Sequence, residues 1–128
     1  MLLGDAADIA TTDAVIRCAI EVHRCLGPGL LESVYSHCLA HELTGSGILF
    51  EREKAVCVAY KDVQIDCGFR LDLLVENCVI VELKAVDRLL PIHRAQVLTY
   101  LKVSKIRVGL LINFNSRVLK DGLIRVAG

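Results

Sequence analysis

The sequence predicts an α/β domain in which α-helices flank a mixed β-sheet. Two observations support this fold class. The hydrophobic spacing is helical in the first third, switches to a period of two in the middle, and then returns to helical. The predicted elements follow the order helix, helix, two or three strands, helix, strand, with a possible final strand. That order is typical of helices packed on a sheet.

The length and composition indicate one ordinary folded domain. The chain has 128 residues, of which 54% are hydrophobic and 23% charged, whereas a disordered chain would be much poorer in apolar residues. We therefore expect residues 1–128 to form a single domain. No apolar run reaches the ~18 residues of a membrane helix, and the N-terminus lacks the basic start of a secretory signal. These features favour a cytoplasmic protein that does not contact membranes.

Three helices are predicted from apolar stripes and end signals. The first is expected from Thr12 to Leu26, with Thr12 as its N-cap and Gly-Pro-Gly at 27–29 ending it. The second is expected over about 31–43 and ends before Gly-Ser-Gly. The third is expected over about 91–103, with a proline in its first turn.

The strands are predicted from alternation and from one continuous apolar run. Residues 48–60 form one strand or two short ones. Every odd-numbered residue of 63–75 is apolar, which predicts a strand with one fully buried face. A second alternating strand covers 79–84, and the run 106–114 is typical of a buried central strand. A last strand or hairpin involves residues 117–119 and 123–125.

The hydrophobic pattern fixes the register of the two alternating strands. If residues 76–78 form a three-residue loop, all the odd-numbered residues share one apolar face. The predicted pairs on that face are Val75 with Val79, Leu73 with Val81, and Leu71 with Leu83. On the other face Asp72 meets Glu82, and Arg70 meets Lys84. A two-residue loop would place Leu73 beside Glu82 and mix the faces, so the pattern selects the first register.

This register places two carboxylates opposite each other, with Cβ atoms ~5 Å apart, where like charges destabilise a sheet. A divalent cation would offset the repulsion, and Mg²⁺ or Mn²⁺ prefers oxygen ligands. Asp72 and Glu82 would hold the ion, while Lys84 would position the attacking water or stabilise charge on a phosphate. The alternative is an exposed polar face on which Lys84 and Arg70 balance the two acids.

The same residues resemble a known nuclease motif. Asp72 followed by Glu82-x-Lys84 on a hairpin resembles the core motif of the PD-(D/E)XK nuclease superfamily. The segment 29–35, Gly-Leu-Leu-Glu-Ser-Val-Tyr, is similar to the motif that names the GxxExxY family, a small bacterial member of that superfamily. Residues 79–86, 96–100 and 108–114 also look like that family. The similarity covers roughly residues 10–126.

The resemblance implies a restriction-endonuclease-like core. It also implies a site with more residues than Asp72, Glu82 and Lys84. It places Glu32, on a helix, in the metal site with Asp72 and Glu82, and it gives Gln96 a catalytic role. Residues 96 and 100 carry the Gln-x-x-x-Tyr pattern of exonuclease-like members of the superfamily. The resemblance also implies that Tyr100 and Tyr35 support the site. Leu71 replaces the proline of the superfamily name, which many members also lack.

The charge distribution points to a nucleic-acid partner. Residues 1–83 carry 6 basic and 13 acidic side chains, whereas residues 84–128 carry 9 and 2. The basic part could face a phosphate backbone; alternatively, the two parts neutralise each other in the fold. We expect DNA rather than RNA as the partner. A domain this small could also form a homodimer around a duplex, although no feature of the sequence demonstrates it.

Two other functions remain open from the sequence. One is a non-catalytic module on the same fold that binds nucleic acid or protein, which the small size and zero net charge favour. The other is a structural zinc or thiol protein, because the chain has six cysteines. No two cysteines have CxxC spacing, and several fall at apolar positions of periodic patterns. We therefore expect buried free thiols.

Overall fold

The computed structural model describes residues 6–128 and contains a five-stranded mixed sheet with three α-helices. The helices are α1 (Ala6–Leu26), α2 (Glu32–Gly45) and α3 (Pro91–Ser104). The strands are β1 (Phe50–Tyr60), β2 (Val63–Val75), β3 (Val79–Lys84), β4 (Val108–Asn113) and β5 (Leu123–Ala127). The strand order is β1-β2-β3-β4-β5, and only β3 and β4 are parallel. The α/β prediction is confirmed, and the architecture matches a restriction-endonuclease-like core.

The connection between β3 and β4 explains the one parallel pair. Parallel neighbours need a long crossover, usually a helix, and α3 lies between these two strands in the chain. This helix covers one face of the sheet, where Val97 and Leu101 pack with Ile80 and Leu111. Helices α1 and α2 cover the other face. The central strands are therefore buried on both sides, and β4 is buried at every position.

The first helix begins earlier than the sequence predicts. It already includes Ala6, the first described residue, so Thr12 lies inside it. Thr12 is buried, and its hydroxyl donates to the carbonyl of Ile9 at 2.9 Å. The prediction of Thr12 as N-cap is therefore wrong. The alanine-rich segment before it has high helix propensity, and a threonine can satisfy its hydroxyl on the preceding turn.

The C-terminal hairpin prediction is also wrong in part. Residues 119–122 form a 3₁₀ turn rather than the end of a strand, and only β5 pairs, antiparallel to β4. Gly122 explains the turn, because a side chain there would collide with Ser116 and with the carbonyl of Asn113. The segment after β4 thus folds back against the end of its own strand.

Strand β2 has the predicted bounds but not a single buried face. Leu73 and Val75 pack in the core below α1 and α2, whereas Phe69 and Leu71 pack in the core below α3. The side-chain alternation therefore changes phase at Asp72. The ladder with β1 pairs residues on both sides of this position but not Asp72 itself. A distorted backbone at one residue is enough to move an apolar series to the other face.

The outer part of the β1–β2 hairpin extends beyond both cores. Tyr60, Val63 and Ile65 are exposed there, although the alternation predicted a buried face. The six cysteines all lie in the described part of the chain and carry free thiols, as expected. Their predicted burial is wrong at Cys25, Cys57 and Cys67, which are exposed.

Candidate active site

The candidate site lies where β2 and β3 separate. The ladder between them follows the predicted register at Val75–Val79, Leu74–Ile80 and Leu73–Val81, and there it ends. The predicted pairs Leu71–Leu83 and Arg70–Lys84 do not form part of it. Beyond the last pair, hydrogen bonds from the backbone to side chains connect the two strands. The backbone N–H of Asp72 donates to Glu82 Oε1 at 3.2 Å, and the N–H of Leu83 donates to Asp72 Oδ2 at 2.8 Å.

The two carboxylates are adjacent and strongly coupled. Glu82 is 6% exposed, and Asp72 is half-buried. Burial, followed by the charge of Asp72 and a hydrogen bond between the two carboxyl groups, raises the pKa of Glu82 to about 9. Lys84 opposes this rise only weakly. Without a cation, the pair therefore holds a proton between its oxygens near neutral pH.

Lys84 is the last residue of β3, two positions after Glu82 and half-buried. Its positive charge lowers the pKa of both Glu82 and Glu32, which places its ammonium group within electrostatic range of both carboxylates. Its carbonyl accepts a hydrogen bond from the N–H of Phe114 at 2.9 Å. The end of β4 thus fixes the backbone of this residue.

Glu32 is the first residue of α2. Its pKa is raised by partial desolvation and by the charges of Asp72 and Glu53, with Lys84 opposing. It therefore lies within electrostatic range of the Asp72 carboxylate. Glu32 itself is exposed, and its place in a metal site stays a prediction.

Tyr35 holds the turn that leads to Glu32. Its hydroxyl donates to the carbonyl of Gly27 at 2.6 Å and accepts from the N–H of Leu30 at 3.1 Å. Its fully buried ring stacks on Phe114, with centroids 4.6 Å apart. The hydroxyl thus joins the two ends of this turn.

Helix α3 contributes Tyr100 to the site. Its ring stacks on Phe69 of β2 with centroids 4.3 Å apart. Burial and the negative charges of Glu82 and Asp72 raise the pKa of Tyr100, so its hydroxyl lies close to the carboxylate pair. Gln96 lies one helical turn earlier and is exposed to solvent. Residues four apart share a helix face.

Sequence reasoning missed Glu53. This residue of β1 has a left-handed backbone (φ 51°) and lies between the pairs Arg52–Leu73 and Lys54–Leu71, across from Asp72. Its charge raises the pKa of Glu32, so it belongs to the same acidic group. The register at the hairpin tip would put Glu53 across from residue 70. The irregularity between Val56 and Val58 shifts the pairing by two residues, and no sequence pattern signals that shift.

Sequence reasoning also assigned no role to Asn113, which orders the loop after β3. The side chain is 2% exposed. Its Oδ1 accepts from the N–H of Val86 at 3.0 Å and from that of Asn115 at 3.2 Å, and its Nδ2 donates to the carbonyl of Val86 at 2.9 Å. A buried amide satisfied in this way fixes the segment that follows Lys84.

The residues of the site fit a cation with few protein ligands. Within residues 6–128, no three Asp, Glu, His or Cys side chains are placed to ligate one ion. Mg²⁺ in phosphoryl-transfer sites usually takes one or two carboxylates and fills its other positions with water and substrate phosphate. Asp72 and Glu82 suit this arrangement, because their recorded backbone hydrogen bonds engage only Oδ2 and Oε1. The raised pKa of Glu82 means that the metal-free pair favours a bound proton, which a cation could replace.

A comparison with protein-family models identifies the chain. Residues 10–126 match the model of the PD-(D/E)XK nuclease superfamily. The chain belongs to that superfamily. Its members generally use divalent metals and act on nucleic acids, so the resemblance seen in the sequence is confirmed at this level. Searches of curated proteins and of solved structures gave no match. No helix in the described part of this nuclease-superfamily chain is long and apolar enough to cross a membrane.

Proposed function

We propose that this chain is a Mg²⁺- or Mn²⁺-dependent nuclease of the GxxExxY type that hydrolyses phosphodiester bonds, with DNA as its substrate. The observation that carries the proposal is the buried Asp72–Glu82 pair at the open end of the hairpin. A buried pair of like charges is costly unless it is neutralised. Residues 1–128 would act as one nuclease-like domain.

Each residue near the pair has a distinct part in this proposal. Asp72 and Glu82 would hold the cation directly, and Glu32 would complete the site through a bound water. When bound, the cation would supply positive charge that offsets the carboxylates and stabilises the attacked phosphate. Lys84 would donate hydrogen bonds to the attacking water or to a phosphate oxygen. Gln96 would contact the same water or the nucleotide, and Tyr100 would orient the carboxylates.

The sharpest test of the proposal is Glu82→Gln. Since the metal-free carboxyl already carries a proton, the amide closely imitates it, and the fold should be preserved. The purified chain should cut DNA with Mg²⁺ or Mn²⁺. The variant should lose activity on the order of 10³-fold, equivalent to several kcal/mol of transition-state stabilisation. Lys84→Ala should also abolish cutting.

Two charged residues of β1, the exposed Glu51 and the half-buried Lys54, provide matched controls. Glu51→Gln and Lys54→Ala remove the same types of charge outside the carboxylate pair, and both should keep full activity. Cutting that survives both Glu82→Gln and Lys84→Ala would contradict the proposal, because a contaminating nuclease would then explain the signal.

A protein-binding role on the same fold is the second candidate. The observation that favours it is the exposed apolar group Tyr60, Val63 and Ile65 on the outer β1–β2 hairpin, because such patches mark interaction sites. Titration calorimetry separates the two candidates. Binding of Mn²⁺ that Glu82→Gln removes supports the nuclease, whereas absence of divalent binding together with a stable complex through this hairpin favours the binding module.

A further inference from the structure

A basic pocket lies between the end of α1 and the loop that follows β4. The pocket is lined by Ile20, His23, Arg24, Arg117, Val118, Leu119 and Lys120. Arg24 is already paired with Glu21 at 2.8 Å. Arg117 and Lys120 are exposed. Neither forms an ion pair within the described part of the chain. An apolar floor with two such cations at its rim suits an anionic ligand that also offers apolar surface.

The loop that carries these cations is fixed in place. His23 Nε2 donates to the carbonyl of Ser116 at 2.6 Å, which ties the loop to α1. At the other end, Gly122 packs closely against Ser116 and the carbonyl of Asn113. Arg117 and Lys120 both lie between these two anchors. Because the loop backbone is already anchored, binding a ligand would order only the two long side chains and not the loop.

The pocket lies within a few nucleotides of the candidate active site. The N–H of Phe114 binds the carbonyl of Lys84, and Arg117 follows Phe114 by three residues. The Cα atoms of Phe114 and Arg117 can therefore be at most about 11 Å apart. Consecutive phosphates of one DNA strand are separated by at least the ~3.4 Å rise along the axis. A strand with one phosphate at Lys84 would thus bring one of its next few phosphates near Arg117.

From this placement we infer that the pocket is a subsite for the phosphate backbone of the nucleic-acid substrate, several nucleotides from the bond that is cut. This inference rests on the proposed nuclease function. Arg117 and Lys120 bind non-reacting phosphates, and Ile20 and Val118 contact the sugars between them. The subsite therefore increases substrate affinity and sets the direction in which the strand leaves the active site.

The test is the double variant Arg117→Gln/Lys120→Gln, compared with the control Lys61→Gln/Lys102→Gln. Both remove two exposed positive charges, but Lys61 lies at the hairpin tip and Lys102 near the end of α3. In DNA cutting with Mg²⁺, the pocket variant should raise KM about tenfold at 150 mM salt, with kcat unchanged. The slope of log(kcat/KM) against log[salt] should become shallower by about 1.4 for a single strand or about 1.8 for a duplex. The control should change neither quantity.

Substrate length gives a second readout. A dinucleotide with a single phosphodiester bond has no second phosphate for the pocket, so the pocket variant should cut it as well as the wild type does. Equal effects of the pocket and control variants on long substrates would overturn the inference. So would a pocket variant that lowers kcat and leaves KM unchanged.

A binding assay separates failure of the subsite from failure of the nuclease function. If the wild type cuts nothing, the anisotropy of fluorescein-labelled DNA still reports binding, and a shallower salt slope in the pocket variant alone supports the subsite. Labelled polyglutamate serves as an acidic protein segment. Loss of its binding in the pocket variant, with DNA binding unchanged, would overturn the inference in favour of an acidic protein partner.

Discussion

The two halves of the β2–β3 hairpin differ in what connects the strands. Near the turn, three consecutive residue pairs form a regular antiparallel ladder, and their side chains are apolar and buried. Farther from the turn the ladder stops, and the carboxylates of Asp72 and Glu82 accept the backbone N–H groups instead. In one half the backbone groups of the two strands hydrogen-bond to each other, whereas in the other half acidic side chains accept the backbone N–H groups.

One half of this hairpin therefore stabilises the fold, whereas the other half holds the carboxyl groups of the candidate site. The regular half buries apolar area on both faces of the sheet, which is the main source of folding free energy. The open half contains a buried carboxyl group whose pKa is raised to about 9, which opposes folding once the group ionises. Substitutions in the two halves should therefore act on different measurements.

The largest expected effect on stability is in the regular half. Leu73 is fully buried below α1 and α2, so Leu73→Ala should lower the free energy of unfolding by about 2–5 kcal/mol. Urea denaturation measures it. The exposed Val63 of the same strand is the control, because Val63→Ala should change stability by less than about 0.5 kcal/mol. Equal effects at both positions would contradict the division of β2 into a core part and an outer part.

In the open half, Asp72→Asn should act on metal binding rather than on folding. The amide oxygen can still accept from the N–H of Leu83, and the substitution removes a negative charge beside Glu82. Metal-free stability should therefore not fall, while affinity for Mn²⁺ should drop about 100-fold or more, since loss even of an outer-shell partner costs 10–100-fold. Calorimetry and urea denaturation of the same sample test both parts. A destabilised variant with unchanged Mn²⁺ affinity would make Asp72 a structural residue.

The pH dependence of stability provides a further test of the difference between the two halves of the hairpin. The pKa of Glu82 is raised in the folded chain, so the folded state holds a proton that the unfolded state releases above about pH 4.5. Stability without metal should then fall as pH rises from about 5 toward 9, by up to about 1.4 kcal/mol per unit. Urea denaturation across this range measures the slope. Glu82→Gln or saturating Mg²⁺ should remove most of it, and an identical slope in Glu82→Gln would show that other groups cause it.

The sequence predicted the regular half well for a physical reason. Two apolar series separated by a three-residue loop allow only one register that keeps the faces apart, and the structure has that register from Val75–Val79 to Leu73–Val81. The loop has a left-handed backbone at Glu76 and Asn77. The three helices were predicted for a similar reason, because each has an apolar stripe, although the start of α1 lies earlier than its predicted N-cap.

The open half could not be predicted in full because its geometry depends on contacts between distant segments. The phase change at Asp72 lies across from a left-handed Glu53 on the neighbouring strand, and that pairing depends on an irregularity farther along the hairpin. The position of Glu32 depends on how α2 packs on the sheet, so only the family resemblance indicated it. The sequence placed Asp72 and Glu82 opposite each other as a ladder pair. In the structure the two residues are adjacent, but the ladder ends before them and their side chains accept backbone N–H groups instead.

The smallest expected effect on stability concerns Tyr35, which holds the turn before Glu32. Tyr35→Phe removes one hydroxyl and its bonds to Gly27 and Leu30 but keeps the ring on Phe114. Stability should fall by about 1–2 kcal/mol, and urea denaturation measures it. If the turn positions Glu32, cutting of DNA should also slow, while Mn²⁺ affinity at the strand pair stays unchanged. Tyr60→Phe, on an exposed ring, should alter none of these. A slower reaction with weaker Mn²⁺ binding would instead show that the turn shapes the metal site itself, which would make Glu32 a direct ligand.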